Sequence, residues 1–79
     1  MGIVKSTLQQ TLDELEITRN KLSVESKVRA ATLQSIVDEK ASSIRFDTLI
    51  VLLDTINEIA QEKGIDKEYG IEDIIKYEG

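Results

Sequence analysis

The sequence has 79 residues, a net charge of −5, no cysteine and no histidine. A chain of this length makes one small domain, with room for one core and no deep pocket. Because the commonest general base and metal ligand is missing, we expect neither an enzyme nor a cofactor or metal site. The lack of cysteine suits the cytoplasm, and the longest apolar run, at residues 49–53, is too short to span a membrane.

The charge is distributed unevenly along the chain. Residues 18–45 contain six basic and three acidic side chains, whereas residues 46–79 contain three basic and nine acidic ones. A local basic stretch within an acidic protein is typical of a surface that contacts phosphates. The sequence therefore predicts that a nucleic-acid contact, if there is one, lies between residues 18 and 45.

The first predicted helix begins at Ser6, which would form a capping box with Gln9. One face of this helix carries apolar residues at helical spacing, and these are Val4, Leu8, Leu12 and Leu15. The phase fails after Ile17, where Thr18 is a good N-cap for a new helix.

Two short helices are predicted next, at about residues 19–26 and about residues 30–39. A turn at Lys27 and Val28 separates them, because Val28 lies off the helical stripe that Leu22 begins. In the second of these helices, Leu33 and Ile36 are predicted to face inward. A fourth helix would run from Phe46 or Asp47 to Gly64, a natural C-terminal stop.

A short helical turn is predicted at about residues 71–75. Residues 75–77 and residues 3–4 alternate apolar and polar side chains as strands do. Pairing them would make a two-stranded ribbon from the termini and leave an edge or apolar patch that favours a two-fold partner. The predicted fold class is therefore mainly α, with a short β ribbon.

In this order, the elements resemble the lambda-repressor-like, or Cro/XRE-type, helix-turn-helix transcriptional regulators. The matching phrases are Ile17-Thr18, Leu22-Ser23, Val28, Thr32-Leu33, Ile36, residues 44–49 and residues 71–77. The resemblance implies one compact domain of four to five helices over residues 1–79, with the helix-turn-helix at about residues 18–39. Two positions depart from the family pattern: Lys27 stands where glycine is usual, and Ala30-Ala31 stands where polar residues are usual.

The resemblance also implies a role for individual residues, because the helix at about residues 30–39 would enter the major groove of DNA. The implied base-facing residues are Arg29, Ala30, Ala31, Gln34, Ser35 and Asp38. The implied phosphate contacts are Thr18, Arg19, Lys21, Lys40, Ser43 and Arg45. Gln34 would read adenine, and Arg29 would read guanine or hold a phosphate.

The sequence thus predicts a repressor-like regulator of prokaryotic or phage type that binds double-stranded DNA as a homodimer. The alternative is a helical protein-interaction module that keeps the fold without binding DNA, which the net charge of −5 and the bare Ala30-Ala31 favour. A coiled-coil hairpin is a third option, although Arg19, Ser26 and Arg29 break its heptad. A continuous positive patch over the second and third helices would distinguish the regulator from the module.

Overall fold

A computed structural model describes residues 2–79 as four α-helices, one 3₁₀ turn and two strands. Their order is β1 (Ile3–Ser6), α1 (Leu8–Leu15), α2 (Arg19–Ser26), α3 (Ala30–Val37), α4 (Phe46–Glu62), the 3₁₀ turn (Ile71–Asp73) and β2 (Ile75–Glu78). The mainly α fold and the ribbon of the termini are confirmed. The bounds of α2 and the start of α4 agree with the prediction, whereas α3 ends two residues early.

The hydrophobic core is made by one face of each helix together with the segment that follows α4. Its residues are at most 5% exposed, and they are Leu8, Leu12, Leu15, Leu22, Leu33, Ile36, Leu52, Ile56, Ile59, Ala60, Tyr69 and Ile74. Burying such a side chain fully contributes about 1.5–3 kcal/mol. The helical spacing of these residues places them on one face of each helix. Packing of these faces holds α2 against α3 and α4, and α3 against α1.

The termini form an antiparallel ribbon in which Val4 lies opposite Tyr77 and Ser6 lies opposite Ile75. Because directly opposed residues share a face, these four lie on one side, and Ile3, Lys5, Lys76 and Glu78 lie on the other. Two hydrogen bonds attach β1 to the helical body: Thr7 N donates to the Ile74 carbonyl at 2.9 Å, and Ser6 N donates to Glu39 Oε2 at 3.2 Å.

The start of α1 differs from the prediction. β1 extends through Ser6, and Thr7 occupies the N-cap position without a side-chain hydrogen bond to the helix. Gln9 Nε2 donates to Asp13 Oδ1 at 2.9 Å instead. The predicted capping box of Ser6 and Gln9 is therefore wrong, and Val4 belongs to β1 rather than to the face of α1. α1 begins one residue later than a cap at Ser6 would place it, and Ser6 Oγ accepts a long hydrogen bond of 3.4 Å from Leu8 N.

Three turns in the chain place a side-chain-bearing residue in the left-handed backbone region. Glu16 follows α1 with a φ of 58°, Lys27 follows α2 with a φ of 62°, and Glu39 lies just beyond α3 with a φ of 60°. Glycine is the usual residue at such helix ends, because a Cβ atom crowds the neighbouring carbonyl there. Lys27 therefore adopts a left-handed conformation that favours glycine.

Replacing Lys27 with glycine should raise the free energy of unfolding by about 0.5–1 kcal/mol, since relief of this strain exceeds the entropy that glycine adds to the unfolded chain. Lys63→Gly is the matched control, because Lys63 ends α4 with a φ of −87° and glycine there should lower stability. Thermal melts of both variants measure the difference. Shifts of the same sign and size would contradict the strain at Lys27.

Tyr69 fixes the loop after α4 to α1 and to α4. Its N–H donates to Asn57 Oδ1 at 2.7 Å, and Asn57 Nδ2 donates back to its carbonyl at 3.1 Å. Its hydroxyl donates to Glu14 Oε1 at 2.7 Å, and Lys67 Nζ reaches the same oxygen at 3.0 Å. Burial, and then the Glu14 carboxylate, raise the pKa of Tyr69 to about 12, whereas the Tyr69 and Lys67 hydrogen bonds lower the pKa of Glu14.

Tyr69→Phe should lower the free energy of unfolding near neutral pH by about 1 kcal/mol, because the hydrogen bond to Glu14 is lost. The difference in unfolding free energy between Tyr69→Phe and the parent chain should then narrow above pH 10, about the ordinary pKa of tyrosine. Because the pKa of Tyr69 is higher in the folded chain than in the unfolded chain, the protonated tyrosine stabilises the fold below about pH 10. This contribution is lost as the pH rises toward about 12. Urea unfolding across this window measures the difference, and a difference independent of pH would contradict the assignment.

Candidate nucleic-acid interface

The start of α2 is fixed by Thr18, as the sequence predicted. Thr18 has an extended backbone, and its Oγ1 accepts a hydrogen bond from Lys21 N at 3.0 Å. This cap satisfies one of the amides that a helix start leaves unpaired. Because a hydroxyl can accept one hydrogen bond and donate another, the Thr18 hydroxyl keeps a proton to offer to a phosphate.

The turn between α2 and α3 is held by two serine hydroxyls. Ser26 Oγ donates to the Leu22 carbonyl at 2.6 Å and accepts from Val28 N at 3.2 Å. Ser23 Oγ donates to the Val28 carbonyl at 2.6 Å. Val28 itself is half-buried and packs against the core, as predicted. With both backbone groups of Val28 hydrogen-bonded, the turn sets the orientation of α3 relative to α2.

The outer face of α3 carries the residues predicted to face bases. Of these, Ser35 is half-buried, and the exposed ones are Arg29, Ala30, Ala31, Gln34 and Asp38. Gln34 is oriented by its neighbours, since its Oε1 accepts from Arg19 Nη1 of α2 and its Nε2 donates to Asp38 Oδ2. The amide is thus held at the surface by one residue from each helix, and it must exchange these contacts to read a base edge.

The N-terminus of α3 points free amides at the same surface. Arg29 occupies the N-cap position and makes no side-chain hydrogen bond to the first turn. The amides of Ala30 and Ala31 therefore have no partner within the helix. Backbone amides at a helix start attract anions, and the small alanine side chains leave them accessible.

A groove beside α3 collects other predicted residues. It lies between α3, the link that follows it and the first turn of α4, and it is hereafter the basic groove. Its cations are Arg29, Lys40 and Arg45, and its hydroxyls are those of Thr32, Ser35, Ser42, Ser43 and Thr48. None of the described residues that line it is acidic. Such a lining offers hydrogen-bond donors and positive charge, and the carboxylate of Asp47 approaches it only at Arg45.

Ion pairs neutralise only part of the positive charge in this region. Lys21 Nζ lies 2.8 Å from Glu25 Oε1, and this hydrogen bond raises the pKa of Lys21. Arg45 Nη2 lies 3.3 Å from Asp47 Oδ2, with both side chains about 80% exposed. Such exposed pairs are weak because water screens them, so a phosphate can replace the partner. Within residues 2–79, no ion pair involves Lys27, Arg29 or Lys40.

The structure divides the predicted phosphate contacts into two groups. Lys40, Ser43 and Arg45 line the basic groove, and Arg29, predicted to face bases, lies there with them. The other group lies at the start of α2, and its members are Thr18, Arg19 and Lys21. Only Arg19 of this second group reaches α3, through its hydrogen bond to Gln34.

Three hydroxyl-bearing residues of the basic groove were not predicted from the sequence, namely Thr32, Ser42 and Thr48. Thr32 follows Arg29 by three residues, and this spacing places both on one helical face. The place of Thr32 in the groove could therefore have been predicted from the sequence. Thr48 belongs to α4, so its place in the groove depends on how α4 packs against α3. No local sequence pattern predicts that packing.

The described residues give no sign of a membrane span or a metal centre. Within residues 2–79, no helix is long and apolar enough to cross a membrane. The same residues contain no group of three or more side chains that could hold a metal ion. The chain matches no protein-family model, no curated protein and no solved structure.

Proposed function

We propose that this protein is a sequence-specific DNA-binding regulator of the lambda-repressor-like, Cro/XRE type, in which α2 and α3 act as the helix-turn-helix. The basic groove supports the proposal: it lies along one side of α3, and its lining holds three cations and no acidic residue, in a chain of net charge −5. Of these cations, only Arg45 has an ion-pair partner among residues 2–79. Phosphates would be repelled from most of this protein and attracted to that groove. This asymmetry gives DNA one preferred way to dock.

The exposed face of α3 supplies what a recognition helix needs. With a phosphate in the basic groove, the first turn of α3 faces the major groove of the DNA. The methyl groups of Ala30 and Ala31 then suit contact with a thymine methyl group, and Gln34 suits a bidentate contact with adenine. Arg19, released from Gln34 in that complex, is free to hold a phosphate beside α2.

The proposed mode of action is occupancy of an operator rather than catalysis. A homodimer in the cytoplasm would present two copies of α3 about one DNA turn apart, so the operator would be two-fold related. Occupancy of such a site blocks other proteins from the same DNA, which is how a repressor acts. No cofactor or small-molecule substrate enters this scheme.

Selection from a pool of randomised duplex DNA tests the proposal. The full chain should retain a subset of sequences that share two related half-sites. Gln34→Ala should still retain DNA but relax the selection at one position of each half-site, because a lost base contact costs about 1–3 kcal/mol of discrimination. Failure of the folded chain to retain any duplex at low salt would overturn the proposal and favour the helical protein-interaction module.

A further inference from the structure

An apolar groove lies on the other side of the link between α3 and α4 from the basic groove. Its apolar lining comes from Val4 and Ile75 of the ribbon, Ile36 of α3, Ile44 of the link, and Phe46 and Leu49 of α4. The groove therefore joins the ribbon to the link and to the first turn of α4.

The apolar groove continues into side chains that lie in water. Phe46 is 82% exposed, Val4 is 58% exposed, and Ile50, one turn beyond Phe46, is 57% exposed. Tyr77 lies opposite Val4 on the same ribbon face and is 69% exposed. A fully exposed aromatic side chain presents about 150–250 Å², so these four side chains expose on the order of 500 Å², near the upper limit for the largest patch of a monomer.

The size of this apolar surface matches one side of a dimer. A standard interface buries about 800 Å² on each partner, of which roughly 60% is apolar. The four side chains supply about that apolar share. The two charged residues that line the groove already have partners within one chain, Lys5 in Glu78 and Glu39 in the Ser6 amide.

We propose that a second copy of this chain docks in the apolar groove, with Phe46 of each copy packed against Val4 and Ile75 of the other. This inference names the interface of the proposed homodimer and so rests on the proposed function. Residues 41–44 line both the apolar groove and the basic groove. A two-fold axis through the apolar groove therefore leaves one basic groove on each side of the interface, and the proposed operator has one half-site for each.

Sedimentation equilibrium of the full chain without DNA tests this interface separately from DNA binding. The parent chain should dimerise, and Phe46→Glu should raise the dimer dissociation constant by roughly 30-fold or more, as expected for a central aromatic anchor. Val24→Glu is the matched control, since Val24 is 67% exposed on α2 and lines neither groove. This control should leave the dimer unchanged.

Circular dichroism establishes that each variant is folded, and Ile50→Glu replaces Phe46→Glu if the latter fails to fold. A parent chain that stays monomeric at millimolar concentration would overturn the interface, even if that monomer binds DNA. Equal weakening of the dimer by Phe46→Glu and Val24→Glu would overturn it as well. Loss of DNA binding by a chain that still dimerises would instead count against the proposed function alone.

Discussion

DNA affinity should fall steeply with salt, with a slope of log affinity against log salt concentration of roughly −4 to −7 for a dimer. Each protomer would bring the three cations of the basic groove to DNA, and Arg19 would add a fourth. Each phosphate contact releases condensed counterions, so a rise from about 50 mM to about 200 mM salt should weaken binding by about 10²–10⁴. Fluorescence anisotropy of a labelled duplex measures the slope.

Two lysine variants locate the source of this slope. Lys40 lines the basic groove and has no ion-pair partner within residues 2–79, so Lys40→Ala should make the slope shallower by about one for each protomer. Lys63 lies at the end of α4 and does not line the basic groove. Lys63→Ala should leave the slope unchanged, and an equal effect of both variants would mean that DNA contacts no particular surface.

The elements that were predicted well depend on residues close together in the sequence. Thr18 caps α2 through an amide only three residues away, and α4 ends beside Gly64, whose φ of 73° suits glycine. Even the turn at Lys27 and Val28 follows from a local spacing, because Val28 lies six residues after Leu22 and so off its helical stripe. Local hydrogen bonds and helical periodicity are properties of short stretches, so the sequence carries them directly.

The errors and omissions depend on residues far apart in the sequence. The predicted capping box at Ser6 is absent: β1 extends through Ser6 and pairs with β2, about seventy residues away, and Thr7 takes the N-cap position. The hydrogen bond from Arg19 to Gln34 and the place of Thr48 in the basic groove depend on how the helices pack. A single sequence contains the residues of such a site but does not show which of them contact one another in the fold. That is why the phosphate contacts divided into two groups.

Leu33→Ala should have the largest effect on folding of any single change within α3. Leu33 is fully buried in the core, and truncating such a leucine costs about 2–5 kcal/mol, because the cavity that remains does not fully close. A domain of this size has a free energy of unfolding of about 4–12 kcal/mol. The variant should therefore lose a large share of its stability, which urea unfolding will measure.

Gln34→Ala is the matched control for Leu33→Ala, because the two residues are adjacent in α3 and only Leu33 is buried. Gln34 is exposed and its hydrogen bonds lie at the surface, so its loss should change stability by no more than about 0.5 kcal/mol. The reverse ranking would mean that α3 is rotated about its axis relative to the core. Leu33→Ala should weaken DNA binding only as far as it unfolds the chain, whereas Gln34→Ala should change the selected sequence while the chain stays folded. Both results together require that the buried face of α3 stabilises the fold and that its exposed face contacts DNA.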